Sequence, residues 1–496
     1  MARYAAPGEP GSAVSYRSRY DHFIGGDYVP PARGDYLPDR TPVTGEVFTE
    51  VARGTAEDVD RALDAAHGAA RSWGRTSAAE RATVLNEVAD RVEDHLEALA
   101  VAETWDSGKP VREALAVDLP LAVDHFRHFA GVVRAQEGGT SRIGRDLVAH
   151  RFPEPLGVVG QLIPWTSPIL TAARKLAPAL AAGNAVVLKP AEQTPASIHV
   201  LLGLIAELLP PGVVNVVTGS GPEAGRPLAA GRRVAKVDFT GRAATGRLVL
   251  GCAGENLVPV ALELAGRSPD VFFADVAAQD DAFYDRALEG FTAFALGRGE
   301  AGTGPARALV QRSAYDRFLA DATTRTKAVR HGHPLDPGTT IGAQVSREQV
   351  DRFLACVGTG RAEGARLVCG GEPADLGGEL SGGYYVTPAI FEGDDEMRIF
   401  REEVCGPLVV VTGFDDFDDA VKLVNDTDRG SGAGIWSRDG GVAHRAAREV
   451  QAGLVRVNSH HGDPAHTAFG GHVVLDSYQR TKNLLVGYSD TAQGFC

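Results

Sequence analysis

The chain has 496 residues, 50 of them basic and 64 acidic, for a net charge of −14. That length predicts about two to four domains, and 44% apolar with 23% charged residues excludes global disorder. The acidic balance excludes a nucleic-acid or anionic-membrane binder, and five scattered cysteines (Cys252, Cys356, Cys369, Cys405, Cys496) exclude a disulfide scaffold and a zinc ribbon. A reducing, cytoplasmic setting is the expectation.

Met1 to Gly11 has no apolar core of a secretory signal. Thr55 to Asp58 resembles a capping box with Asp in place of Glu or Gln, and Val59, Leu63, Ala66, Ala70 and Trp73 follow at helical spacing. Ser77 to Glu80 is a full capping box for a helix running towards Thr104. Packing is the role expected of both helices. From Leu156 to Leu264 short β-rich runs (157–163, 185–188, 213–217, 234–239, 258–264) alternate with helical ones (169–182, 195–209, 223–230, 243–253). That alternation predicts a parallel, doubly wound sheet, which binds ligands at the carboxyl ends of its strands. The longest apolar stretch, Val200 to Leu209, holds Glu207 and stops at Pro210-Pro211, too short to span a bilayer.

Two glycine-rich turns, Gly219 to Gly221 and Gly241 to Gly246, are where a helix N-terminus would meet a pyrophosphate. With 59 glycines in the chain, a plain tight turn is as good a reading of each. A second alternation runs from about Ser268 to Val457, with helical stretches at 284–296, 315–329, 347–358 and 417–425 and apolar runs at 308–311 and 408–412. Lys482 to Tyr488 reads as one terminal strand, which must pair somewhere, a subunit interface being one place.

In order and spacing, Gly160 to Pro168, Lys175 to Asn184, Leu188 to Pro195, Phe239 to Gly241, Leu262 to Leu264, Glu402 to Pro407 and Phe469 to Gly471 resemble the aldehyde dehydrogenase superfamily. Together with the ending Tyr478 to Val486, they look closest to the bacterial NAD-dependent acetaldehyde or aliphatic aldehyde dehydrogenases. The resemblance implies an α/β chain of two doubly wound domains and a small β oligomerisation element. It places an NAD(P)-binding domain at 1–137 and 156–265, a catalytic-type domain at 266–468, and the oligomerisation element at 138–155 and 469–496. Homodimers or homotetramers follow from it. The cofactor would lie against Ile163, Pro164, Trp165, Gly221, Gly225, Phe239, Gly241 and Arg242. Lys189 and Glu192 would hold the adenosine ribose and Glu403 the nicotinamide ribose. A carboxylate at Glu192 repels a 2′-phosphate and so favours NAD over NADP.

The family's chemistry needs a cysteine thiolate, which makes the aldehyde carbon tetrahedral and then carries the acyl group. The stretch Gly299 to Arg307 aligns without a gap and puts Gly302 where that cysteine belongs. Thr166 replaces the oxyanion Asn, while the acid/base position survives as Glu263. Cys405 stands for the Phe that flanks the nicotinamide, and Arg242 for a small residue of the phosphate turn. Ser167, Thr171 and Arg174 stand where the apolar substrate tunnel is expected, with His460, His461 and Asp463 before Phe469. The chain is shorter after Gly471, where His472 leads directly to Val473. Neither Cys405 nor Thr303 makes a convincing replacement nucleophile, and the histidines lack metal-ligand spacing, so no metal is expected.

The polar drift of the tunnel points to a small polar or anionic ligand, since an unpaired buried Arg is costly. Pairing of Arg174 with Asp463, or with water, is the equal alternative. Three readings stay open. One is NAD(P)-dependent hydride transfer without covalent catalysis, on a hydrated aldehyde, hemiaminal or imine with Glu263 as acid/base. The others are a catalytically inactive nucleotide-binding or assembly partner, and a non-redox reaction led by Glu263.

Overall fold

The computed structural model describes residues 3–264, 266, 268–299, 304–403, 406–426, 432–460, 465–467 and 475–491. Five β-rich runs form parallel strands, Val158–Leu162, Ala185–Lys189, Val214–Val216, Lys236–Gly241 and Val260–Leu264. The strands 158–162 and 185–189, fully buried, run almost continuously apolar because both faces are covered, whereas the edge strand 260–264 is half-buried. Val159, Val186, Leu188 and Val214 enter a core shared with the helices Ala78–Asp94, Leu119–Ala135 and Pro168–Ala181. Val158, Leu162, Val187, Val237 and Phe239 enter another with the helix Ala56–Trp73.

Across the sheet the order is 260–264, 236–241, 158–162, 185–189, 214–216, then the antiparallel hairpin His22–Ile24 and Asp27–Val29. From 158–162 the chain first builds one side, then crosses to 236–241 and builds the other. The strand order therefore reverses between 158–162 and 236–241, where such sheets open a ligand crevice at their carboxyl ends.

A second seven-stranded sheet has the order 366–369, 389–392, 408–414, 307–311, 269–272, 432–436, 454–457, parallel except for the antiparallel pair 366–369 with 389–392. Phe272, Phe291, Phe318 and Trp436 pack ring against ring in its core. A third sheet joins Gln479–Gly487, Leu147–Pro155 and Gly139–Arg142.

Several elements depart from the sequence reading. The terminal strand begins at Gln479 and pairs antiparallel along its whole length with 147–155 of the same chain, so its first partner is intramolecular. Short strands, including Tyr36–Arg40 and Val47–Ala52, precede the first helix. The 195–209 helix ends at Ile205 in a 3₁₀ turn, and 223–230 begins as a π turn, Gly221–Gly225, before the four-residue helix Arg226–Ala229. Asp58 does more than pack. It accepts from the N–H and hydroxyl of Thr55, both at 2.9 Å, and from Ala32 N–H at 2.8 Å.

Candidate active site

Along a strand alternate side chains share a face. Lys236, Asp238 and Thr240 therefore stack on one side of the 236–241 strand, and register places Glu263 of the neighbouring strand beside Thr240. The 168–181 helix covers this face. All its residues are buried except Leu170 and Arg174. Thr240 Oγ1 donates to Glu263 Oε2 at 2.6 Å, Arg174 Nη2 donates to the same oxygen at 3.3 Å, and Lys175 Nζ lies 3.6 Å from it. Lys175 is also bonded to Asp238, which takes a very short hydrogen bond from the Tyr478 hydroxyl. A continuous polar chain thus runs from Glu263 through Lys175 and Asp238 to Tyr478, directly before the terminal strand.

Burial pushes the Glu263 carboxyl up, but Lys175, Arg174 and Thr240 together outweigh it and hold the group down to about 2. Glu263 is therefore a carboxylate with no proton to give at neutral pH. Its side chain is still 23% exposed and that of Arg174 21%, so the pair faces open space. Arg174 has its described carboxylate partner in Glu263, a residue that sequence separation could not single out.

Ser167 takes the left-handed conformation (φ 42°) at the N-cap of the 168–181 helix, a strained setting for a residue with a side chain. Its Oγ accepts from Lys109 Nζ at 2.8 Å, and Lys109 is ion-paired with Asp118. Thr171 turns its hydroxyl onto the Thr166 carbonyl at 3.2 Å. Ser167, Thr171 and Arg174 thus share one helix face, as their spacing requires. His125 of the 119–135 helix lies in the field of Arg174 and Glu263. It is 7% exposed, and neither ring nitrogen has a hydrogen-bond partner among the described residues. Burial, then Arg174 and His128, hold its ring down to about 3, so it is neutral.

Ile163 continues the 158–162 strand, donating its N–H to the Lys189 carbonyl at 3.2 Å, and Pro164 and Trp165 form the crossover at the switch point. Lys189, at the end of the 185–189 strand, is buried and donates to the Pro190 carbonyl at 2.7 Å and to Glu192 at 3.3 Å. Near them Gly221 has open space where a Cβ would sit, and at Gly225 the nearest atom to such a Cβ is Lys189 Cδ at 3.7 Å. Phe239 is buried, and Gly241 ends the strand against the Phe239 ring.

The helix Ala243–Gly254 then starts at Arg242, which gives it no side-chain cap. Glu403 does so instead, accepting from Ala243 N–H at 3.2 Å, with Arg242 Nε 3.4 Å from its other oxygen. The end at Lys189 and Glu192 offers a carboxylate, an ammonium and open turns. The turn at Ala243 is already engaged by the chain's own carboxylate.

Gly297, Arg298 and Gly299 are all left-handed, at φ 62°, 61° and 70°. Arg298 is fully buried, bonded to the carbonyls of Ser107 and Ala343. This bent run leads into the nucleophile position. Gly302 itself lies outside the described residues, as do Cys405, His461, Asp463 and Phe469; His460 is half-buried at the end of the described 432–460 segment. Of the expected site residues, the structure brings together Thr166, Ser167, Thr171, Arg174 and Glu263. Sequence reasoning missed Lys109, His125, Lys175, Asp238, Thr240 and Arg298. Asp238 and Thr240 carried a signal, because with Lys236 they make one face of the strand wholly polar while Val237 and Phe239 make the other apolar.

The family model for "Aldehyde dehydrogenase family" matches residues 28–473. The chain belongs to the aldehyde dehydrogenase family. It is 61% identical to a probable aldehyde dehydrogenase of Streptomyces coelicolor over 506 positions and 60% identical to the fluoroacetaldehyde dehydrogenase of Streptantibioticus cattleyicolor over 505, each covering 100% of both chains. The first alignment is ten positions longer than this aldehyde dehydrogenase family member, so that relative has residues without a counterpart here. Among solved structures, betaine aldehyde dehydrogenase of Staphylococcus aureus in complex with NAD+ superposes with a TM-score of 0.92, at 31% identity, covering 96% of each chain. The fold is that of the aldehyde dehydrogenases, and the family is one of oxidoreductases.

Proposed function

We propose that the chain is an NAD-linked oxidoreductase that works without a cysteine thioester, on a small polar or anionic substrate. The reacting carbon would already be tetrahedral, as in a hydrated aldehyde or hemiaminal that gives its hydride, or imine-like, as in an iminium that takes one. Bound NAD would accept the hydride in the first case, and NADH would supply it in the second. Lys189 and Glu192 hold the adenosine ribose, and Glu192 disfavours the 2′-phosphate of NADP. Ile163, Pro164, Trp165, Phe239 and the turns at Gly221, Gly225 and Gly241 form the crevice wall, and Glu403 serves the nicotinamide ribose once released from Ala243.

The observation that carries this reading is Glu263, a fixed carboxylate in a partly open cleft, with glycine at position 302 in place of a nucleophile. Loss of hydride builds positive charge on carbon, which a preorganised anion stabilises; the hydroxyl proton of the protonated product leaves to solvent, since a carboxylate held near 2 does not keep it. Glu263 also accepts a hydrogen bond from a hydrate hydroxyl. Glycine at 302 brings no side chain to crowd the bulkier centre, and Thr166 and Ser167 line the approach.

A second reading, a catalytically silent partner acting through assembly, is favoured by one fact. Glu263 and Glu403 are both held by the chain's own groups. A Glu263-led non-redox reaction fits less well, because a carboxylate held near 2 is a weak base and no acid at neutral pH. Under either leading reading the first sheet serves nucleotide binding, and under the oxidoreductase reading its edge also presents Glu263 to the reacting carbon. The third sheet serves a homodimer or homotetramer, since Phe152, Leu484 and Leu485 lie exposed on it and Ile143 in its adjoining turn. The setting we infer is cytoplasmic.

Calorimetric titration with NAD and NADP, followed by NADH formation from hydrated aldehydes, tests the proposal. Binding of NAD with turnover is the expected result. Failure to bind either nucleotide overturns it, and binding without turnover selects the silent partner.

A further inference from the structure

Ser167 has features that neither its helix nor the proposed chemistry explains. Its backbone is left-handed at φ 42° although it carries a side chain, and such strain persists only where the surroundings impose it. Its hydroxyl gives the 168–181 helix no side-chain cap. Instead the Lys109 ammonium donates to Ser167 Oγ at 2.8 Å. An ammonium has three donors and no acceptor, so Ser167 can only accept from it. Burial pushes the Lys109 ammonium down, but Asp118, Glu113 and Glu103 outweigh that and raise it above its ordinary value. Asp118 is also ion-paired with it directly. Lys109 is therefore charged, and its sense as a donor is fixed.

The Ser167 O–H must then point away from Lys109. Among the described residues it meets no acceptor, and the residue is half-buried. The segment 107–118 fixes where this donor stands. Besides Lys109, it offers the Ser107 carbonyl to the buried Arg298, and Glu113 Oε1 to the N–H of Gly297 at 3.0 Å. One segment thus ties Ser167 to the bent run 297–299 that leads into position 302.

We propose that Ser167 donates a hydrogen bond to an oxygen of the substrate, and that Lys109, held by Asp118, is the positioning residue that keeps it a donor. The partner must carry a lone pair. The hydroxyl oxygen of a hydrated aldehyde or of a hemiaminal has one. The nitrogen of an iminium has none and would leave the donor unpaired, at a cost. Among hydrate, hemiaminal and iminium, Ser167 therefore selects the two with oxygen on the reacting carbon. No bond to Ser167 or Lys109 is made or broken, and neither transfers a proton. This rests on the reading of the cleft as a substrate site and narrows the class of substrate.

The test uses the whole protein without nucleotide, so that nothing is oxidised. One probe is trifluoroacetaldehyde hydrate, a stable neutral gem-diol followed by fluorine NMR. The other is acetamidinium, which has the planar carbon–nitrogen cation of an iminium and no acceptor, followed by calorimetry. The native chain is expected to bind the hydrate. Ser167→Ala should weaken the hydrate about 3–10-fold, the net worth of one hydrogen bond, and leave acetamidinium unchanged. Ser167→Gly, which relieves the left-handed backbone, repeats that arm if the alanine variant folds poorly. Lys109→Met combined with Asp118→Leu removes the pair without stranding a charge. The Ser167 hydroxyl is then free to accept as well as donate, so the hydrate should weaken about 2–5-fold and acetamidinium should not. Melting curves show whether each variant is folded, and a general distortion would move both probes together. Equal loss of both probes, hydrate binding that ignores Ser167→Ala, or a native chain that binds no hydrate overturns the proposal. Hydrate binding that depends on Ser167, without turnover of any aldehyde hydrate, leaves this inference standing while the oxidoreductase reading falls; NADH formation that ignores Ser167→Ala does the reverse.

Discussion

At the end of the crevice proposed for adenosine, the buried Lys189 pairs with Glu192, whose side chain is 41% exposed. At the chemical end, Glu263 is gripped by Thr240, Arg174 and Lys175, and Glu403 sits on the helix at Ala243 beside Arg242. Both ends lie on the carboxyl edge of one sheet and are built from the same residue types. What separates them is prior engagement. A carboxylate on the rim at 3.3 Å from one ammonium yields to a ribose at little cost, whereas one held by three donors must first exchange its partners.

The largest expected effect comes from restoring the missing nucleophile. Gly302→Cys combined with Thr166→Asn supplies a thiolate and an oxyanion donor, but leaves Glu263 fixed. With acetaldehyde and NAD, stopped-flow absorbance should show about one equivalent of NADH per chain, then slow turnover. The slow phase follows because a hydrolytic base contributes about 10²–10⁴-fold, and Glu263 in its present setting is a poor one. Adding Arg174→Trp should speed the slow phase. Steady turnover without a burst would show that the grip on Glu263 is irrelevant to water activation, and the contrast between the two ends would collapse.

The grip can also be broken from behind. Lys175 and Asp238 are a buried pair, at 2% and 7% exposure. Asp238→Ala strands the ammonium and removes the acceptor of the Tyr478 hydroxyl. Loss of one partner of a buried pair costs about 3–5 kcal/mol, which denaturant unfolding would register. A loss below 1 kcal/mol would mean that the chain from Glu263 to Tyr478 contributes little to the fold.

Much of the first sheet was legible because its signal is local. Apolar runs such as 185–189 alternate with helices, and the switch point follows from their order. The site was legible only as a set of residue types. Arg174 and Glu263 are 89 positions apart, so neither spacing nor periodicity reveals that one neutralises the other. The early strands Tyr36–Arg40 and Val47–Ala52 escaped because they are short and lack a clean alternation: the first holds Pro38 and the second exposes Val47. For the terminal strand, the residues that make 479–487 extended do not state their partner. Arg298 hid for another reason, since its burial depends on a left-handed run that glycines at 297 and 299 only hint at.

A control for these effects lies in charge that serves folding alone. Asp58, within the 56–73 helix, caps its own helix start and binds Ala32. Burial pushes its carboxyl up, but His22, Thr55 and Ala32 outweigh it and hold it well below the usual carboxylate range. A carboxyl with a lowered folded-state value adds stability above its unfolded value of about 3.9, and that contribution fades as pH falls. Asp58→Ala should therefore cost about 1–3 kcal/mol at pH 7 and progressively less below about pH 4. A loss that stays constant down to pH 2.5 would assign the effect to packing instead.

The smallest effect is the most direct probe of the contrast. ADP carries the adenosine and pyrophosphate but no second ribose, so it reports on the turn at Ala243 without needing Glu403 as a ligand. In the present arrangement a phosphate oxygen and the Glu403 carboxylate compete for the same helix N-terminus. Glu403→Gln keeps the length of the side chain and removes its charge. ADP should then bind about 3–10-fold more tightly, in line with roughly 1 kcal/mol for an anion at a helix N-terminus. The gain should shrink at high salt. Arg242→Ala run in parallel should weaken ADP, because the guanidinium turns from Glu403 to the phosphate as the carboxylate leaves. If Glu403→Gln leaves ADP affinity unchanged, Glu403 departs from Ala243 without cost, and the chemical end is as open to its cofactor as the adenosine end.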